Sequence, residues 1–187
     1  METTKKVWKM FGEWDFDKEQ DWLNEMADQG WALKKVSCLG MKFEFEPCEP
    51  GEYAVGIVML DTEKDKKDPK PSESETRIAE LTAEGAELVA INQQWHYFRK
   101  KKSAGELVLF PDVDARIAHI DKVSKETVGG AALIAVLWIA LDSFIPMLIL
   151  GGIALYYWWQ LKQKKDELLR RKAADTANAE QPADAQE

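Results

Sequence analysis

Two histidines, two cysteines, a few carboxylate pairs and eight tryptophans are the side chains of this 187-residue chain with the most chemical potential. His96 and His119 fall in different segments, and neither stands at metal-ligand spacing from Cys38 or Cys48. There is no Walker-type phosphate loop, no nucleophile elbow, no HExxH and no paired CxxC. No catalytic residue, metal or cofactor is therefore expected, and the chain reads as a non-enzyme. The pairs Asp15/Asp17 and Asp112/Asp114 read better as helix caps than as acid–base pairs, and His96 reads as a solvent-side strand residue. What remains is aromatic. Trp8, Trp14, Trp22, Trp31 and Trp95 crowd a small domain. Large aromatics most often supply core burial. The alternative is a cleft lined by Trp8, Trp22, Trp31 and Trp95, suited to a flat or cationic ligand.

The elements that would position these residues form a repeat. Residues 22–36 align with 77–91 without a gap, at a shift of 55 positions. Glu25 then falls on Glu80, Gly30 on Gly85 and Leu33 on Leu88. The first helix is expected from about Asp17 to Gln29, with Trp22, Leu23, Met26 and Ala27 as its apolar face. The second begins after Pro71 with Ser72 and Glu75 as a capping box. Gly30 and Gly85 stand where a helix terminates in positive φ, so they need no ligand. Strand signals surround each helix: 7–11, 31–37 and 41–45 around the first, then 53–60, 87–91 and 95–99 around the second, with Leu107 to Phe110 as a further edge strand. The expected fold over residues 1–110 is α+β: a duplicated strand–helix–strand–strand unit, an antiparallel sheet with two helices on one face. The charged, proline-bearing stretch 61–75 reads as a linker.

Charge and hydropathy separate the rest. The chain carries a net −8. Residues 1–121 carry −8, residues 122–172 carry +4 and residues 173–187 carry −4. Residues 111–126 read as a helix capped by Asp112 or Asp114, leading into an apolar run over 127–159. That run is too long for one span and is basic at both flanks. It therefore reads as a transmembrane helical hairpin with Asp142 and Ser143 in its turn, followed by a basic helix end over 160–172 and a disordered acidic tail over 173–187. Gly129–Gly130 and Gly151–Gly152 would let the two helices approach closely, and Tyr156 to Trp159 would form an interfacial aromatic belt. Asp112, Asp114, Arg116 and His119 are the residues placed to couple the first domain to such an anchor. The first residues are polar and lack the apolar region of a cleavable signal peptide, so the N-terminal domain is expected to stay on the side where it was made. Acidic charge disfavours nucleic acid as a direct partner. A Cys38–Cys48 bridge is not expected with so few cysteines.

Several segments together carry a resemblance: Lys6 to Phe11, Trp22 to Ala27 with Gly30–Trp31, Pro50 to Tyr53, Trp95 to Lys100, and Leu109 to His119. Over about residues 5–120 the chain resembles a bacterial family of unknown function. The resemblance implies an inner-membrane protein with C-terminal transmembrane helices, often encoded beside a PadR-type transcriptional repressor. The duplicated unit is also similar, at the level of the fold, to GyrI-like effector-binding domains, which hold cationic ligands in a cleft. The function expected is a membrane-anchored sensor or adaptor, with the lipid bilayer and a PadR-type regulator as partners. A ligand-binding module using the tryptophan-lined cleft is the alternative.

Overall fold

In the computed structural model, residues 4–60, 72–140 and 144–179 are described. The chain divides into two compact units, Met1–Leu109 and Phe110–Glu187. The first runs β1 (Lys5–Trp8), α1 (Phe16–Asp28), β2 (Trp31–Ser37), β3 (Lys42–Pro47), β4 (Tyr53–Met59), α2 (Glu73–Ala83), β5 (Glu87–Asn92) and β6 (Trp95–Lys101). The second holds α3 (Val113–Ala140) and α4 (Phe144–Ala179).

The duplication is present in detail. The strands form two antiparallel three-stranded sheets of the same topology, β1-β3-β2 and β4-β6-β5. A bulge interrupts β2 between Leu33 and Lys35, and another interrupts β5 between Leu88 and Ala90. These positions are 55 residues apart, the shift found in the sequence. Gly30 and Gly85 both follow a helix with positive φ, 85° and 89°, a conformation that costs glycine little. Ser72 and Glu75 complete the expected capping box.

β2 and β5 are the inner edges of the two sheets and lie alongside each other. Arg99 of β6 spans the junction. Its guanidinium donates to Glu87 of β5 (2.7 Å), to Glu46 of β3 (2.8 Å) and to the carbonyl of Leu33 on β2 (3.0 Å). At the other end of the junction, a Cβ on Gly40 would stand 2.8 Å from Asn92 Nδ2. The two strands therefore run side by side in one direction, each with its own bulge, and stay two sheets.

The expected single sheet with both helices on one face is corrected by this arrangement. Along β6, Trp95 stacks on Phe16 (5.6 Å) and the Tyr97 hydroxyl donates to Glu19 (2.8 Å), so the odd-numbered face meets α1. Lys100 lies on the other face, and a Cβ on Gly85 at the end of α2 would stand 3.9 Å from its Cε. α1 also meets the first sheet, where Trp22 packs edge-on against Phe43 (5.0 Å) and Phe45 (5.7 Å). Both faces of β6 are consequently buried, including His96, at 2% exposure. His96 is a core residue whose ring nitrogen meets the Gln94 carbonyl (2.9 Å), not the solvent-side residue expected.

The outer edge of β4 is closed by side chains. Asn24 of α1 accepts from the Val55 N–H (2.9 Å) and donates to the Val55 carbonyl (2.8 Å), while Gln20 accepts from the Ile57 N–H (2.9 Å). An edge strand is thus satisfied by amides from the first repeat and cannot template another strand there. This explains a further correction: residues 107–110 form no strand. Leu109 packs onto β4, where a Cβ on Gly56 would meet its Cδ1 at 2.7 Å. Its carbonyl is taken by Arg77 of α2 (2.7 Å).

In the second unit, α3 and α4 pack antiparallel. Asp121 pairs with Lys165 (2.6 Å) and, one heptad away on each helix, Asp114 pairs with Lys172. Ile120, Val123 and Leu161 are buried between them. The membrane-spanning hairpin expected over 127–159 is corrected: among the described residues, no helix is long and apolar enough to cross a membrane. The apolar part of α3 runs from Thr127 to Ala140 and that of α4 from Phe144 to Trp159. At about 1.5 Å per residue these measure about 21 and 24 Å, against a hydrocarbon core of about 30 Å. The remainder of each helix is charged. Among the described residues, a Cβ on Gly129, Gly151 or Gly152 would meet nothing within 4 Å, and the surroundings of Gly130 lie outside the described residues. Residues 173–179, expected in a disordered tail, continue α4. Asp142, Ser143, residues 61–71 of the linker and residues 180–187 of the tail lie outside the described residues.

Replacing Asn24 by Ala leaves the buried Val55 amide and carbonyl without their partner. The loss expected is about 2–3 kcal/mol of unfolding free energy, read from urea denaturation. Glu25→Ala, exposed on the adjacent turn, is expected to change it by less than about 0.5 kcal/mol.

Candidate functional site

The tryptophans expected to share a cleft stand on different elements: Trp8 on β1, Trp22 on α1, Trp31 on β2 and Trp95 on β6. Trp8 pairs with Lys42 at one end of β3 and Trp31 with Pro47 at the other. Trp8 is 65% exposed, with Lys42 Nζ 5.8 Å from its ring. Trp31 is half-buried under Lys5 Nζ at 5.2 Å. Trp22 is half-buried in the first repeat, tilted against Phe11 (5.5 Å), with Lys9 Nζ at 4.4 Å. Trp95 lines a cavity.

That cavity, about 160 Å³, lies where the two repeats meet, walled by Phe11, Phe16, Trp95 and Tyr97 and by the turns that follow β2 and β5. Glu19 of α1 stands in its wall. The local reason is helical spacing: Phe16, Glu19, Leu23, Met26 and Ala27 form the buried stripe of α1, and Glu19 occupies one apolar position of it. Its residue is 8% exposed. Burial pushes the carboxyl up to about 7, against the opposing hydrogen bond from Tyr97. Burial and the Glu19 charge likewise push the Tyr97 phenol upward. A carboxyl poised near neutrality in an aromatic cavity is suited to exchange a proton or to meet a cation. The rim is formed by the β2–β3 turn, where Cys38 and Leu39 hold φ of 53° and 55°, a strained conformation for side chains larger than glycine.

A larger hollow of about 420 Å³ lies beside β4, lined by Gln20, Asn24, Gly56, Lys102 and Leu109. Three of its polar side chains are already engaged: the two amides with β4, and Lys102 with Asp28 (2.9 Å). Cys38 and Cys48 are free thiols at opposite ends of the β2–β3 hairpin.

The residues expected to couple the units have local roles. Asp112 caps α3 by accepting from the Ala115 N–H (2.7 Å), and Asp114 pairs with Lys172. His119 is buried against the Phe110 ring (4.9 Å). Arg116 is exposed on α3. The second notable surface is on α4. Ile153, Leu155, Tyr156, Trp158 and Trp159 are all exposed, and Lys162 Nζ lies 5.2 Å from the Trp158 ring.

Glu19 also makes stability depend on pH. The folded chain binds this proton more tightly than an unfolded one, in which glutamate titrates near 4.5. Stability from this group is therefore present below about 4.5 and lost as pH rises through about 7, by about 3 kcal/mol in full. Glu19→Gln is expected to be nearly neutral at acid pH. Above pH ~8 it should be more stable than the parent by up to that amount, measured as the difference in urea midpoints at the two pH values.

Comparison with known proteins bears on identity alone. No curated protein and no solved structure is significantly similar to the chain. The model of one family, described as a protein of unknown function (DUF2812), matches residues 15–132, from the start of α1 well into α3. The chain belongs to the DUF2812 family.

Proposed function

We propose that the protein is a non-enzymatic sensor or adaptor that works at an anionic bilayer surface. The exposed aromatic band of α4 carries this reading. Five of the seven residues from Ile153 to Trp159 are large, apolar or amphipathic, and exposed. An exposed patch of this kind marks a contact with another phase or partner. Lys162, Lys164, Lys165, Arg170 and Arg171 follow it directly in an otherwise acidic chain. Tyrosine and tryptophan next to lysine suit the headgroup region, where aromatic rings seat in the interface and ammonium groups meet anionic lipid. The proposal is contact along the surface, as an amphipathic helix makes it, with the band entering the headgroup layer by about 5–10 Å.

The two units divide the task in this reading. The helical unit supplies attachment and the duplicated unit supplies recognition. A bacterial inner membrane as the location and a PadR-type repressor as the partner are part of the proposal, and their support is the sequence resemblance.

Co-sedimentation of the full chain with vesicles tests the reading. Binding is expected to vesicles rich in anionic lipid and to be weak to zwitterionic ones. Each lysine near such a surface contributes about 1 kcal/mol, so Lys162→Gln with Lys164→Gln is expected to weaken anionic binding about 30-fold. Trp158→Ser with Trp159→Ser should weaken binding to both. Equal sedimentation of all variants, or none with either lipid, would remove the proposal.

A further inference from the structure

We propose that the cavity between Glu19, Trp95 and Tyr97 binds a small organic monocation, an ammonium group carried on a compact apolar or aromatic body. This goes beyond the surface attachment proposed above and does not depend on it.

Four observations carry the proposal. The first is the charge. Of the residues lining the cavity, Glu19 alone carries a formal charge when ionised near neutral pH, since burial and the Glu19 charge push the Tyr97 phenol further upward. Asn92 and Gln93 on the facing turn are neutral. An anion would find no cationic partner in this wall. The second is geometry. Oε1 of Glu19 accepts from the Tyr97 hydroxyl at 2.8 Å. Among the described residues this is the carboxyl's hydrogen-bond partner, which leaves Oε2 for a ligand. The third is the surrounding surface. Phe11, Phe16 and Trp95 present aromatic carbon, which attracts a desolvated cation through the ring quadrupole and packs its apolar body. The fourth is size. A volume of about 160 Å³ is close to that of an engineered cavity that takes benzene, about 150 Å³. One small ring with an ammonium arm fits, while drug-sized molecules need several hundred Å³.

The protein spends stability to keep this carboxylate. The second repeat carries Ser74 at the position 55 residues on from Glu19, also buried, hydrogen-bonded through its hydroxyl to Ser72 (2.9 Å). A neutral residue therefore serves the equivalent place in the same fold. The acid is present only where α1 meets the second sheet and the cavity opens.

Binding of a cation requires the ionised carboxylate. Burial raises the Glu19 carboxyl to about 7, so association expels a proton from the protonated fraction. Affinity should then rise about tenfold from about pH 6 to about pH 8, while an amine of higher pKa stays charged throughout.

Titration calorimetry of the full chain with benzylamine and with its neutral analogue benzyl alcohol, at both pH values, tests this. Benzylamine is expected to bind, about tenfold more tightly at the higher pH, and benzyl alcohol to show no such change. Glu19→Gln keeps the shape of the wall and should lose at least tenfold in benzylamine affinity together with the pH dependence. Near-UV circular dichroism of the Phe16–Trp95 stack confirms that the variant is folded. Absence of benzylamine binding at both pH values, or equal binding by folded Glu19→Gln, would overturn the proposal.

Discussion

The Arg99 guanidinium is the interaction on which the duplicated unit depends. Its side chain is 12% exposed, and it joins three strands of two sheets. A cation so placed is costly unless its hydrogen bonds are met, and here two carboxylates and a main-chain carbonyl meet them. The bond from Arg99 in turn holds Glu46 below the usual carboxylate range. The planar fork of arginine suits this junction, because it reaches Glu46 and Glu87 along different directions at once. Fixing β2 against β5 also fixes the turns at their far ends, and those turns form the rim of the cavity.

The two repeats share a backbone plan but have divided their chemistry. Glu46 and Arg99 hold equivalent places, opposite Ala32 and Glu87, which are themselves 55 positions apart. Where a symmetric pair would set like against like, this chain sets opposite charges 2.8 Å apart. α1 is likewise specialised. It carries Gln20 and Asn24, whose amides close the edge of β4, and Glu19, which meets Tyr97. The matching positions of α2 are Glu75, Ala79 and Ser74. One helix thus binds both repeats together while the other caps its own.

Much of the fold was legible because it rests on local rules. The two helix-ending glycines, the Ser72–Glu75 box and the 55-residue shift each follow from backbone requirements that sequence displays. The site was less so. Tryptophan announces a need for burial but not a direction: Trp8 and Trp31 stand on strands that meet opposite ends of β3, and Trp22 stands on α1. The informative residue was Glu19. It stands four positions before Leu23 within an apolar stripe, and a carboxylate in such a stripe was the available signal. His96 was misplaced for a related reason: a strand between two helices is buried on both faces, so period-two alternation no longer separates core from solvent. The apolar run reads as two helices, and α3 ends at Ala140 and α4 begins at Phe144. What it does not show is that each apolar stretch, ~21 and ~24 Å at about 1.5 Å per residue, stops short of a hydrocarbon core of about 30 Å.

The central claim is that a charged pair at equivalent positions holds the two repeats in register. A double-mutant cycle on Arg99→Met and Glu46→Leu, followed by urea unfolding, tests it most directly. A coupling energy of about 1–2 kcal/mol is expected for neighbours that share a part-buried, charge-assisted hydrogen bond. Additive effects, with coupling below about 0.3 kcal/mol, would show that the sheets are held together by something else.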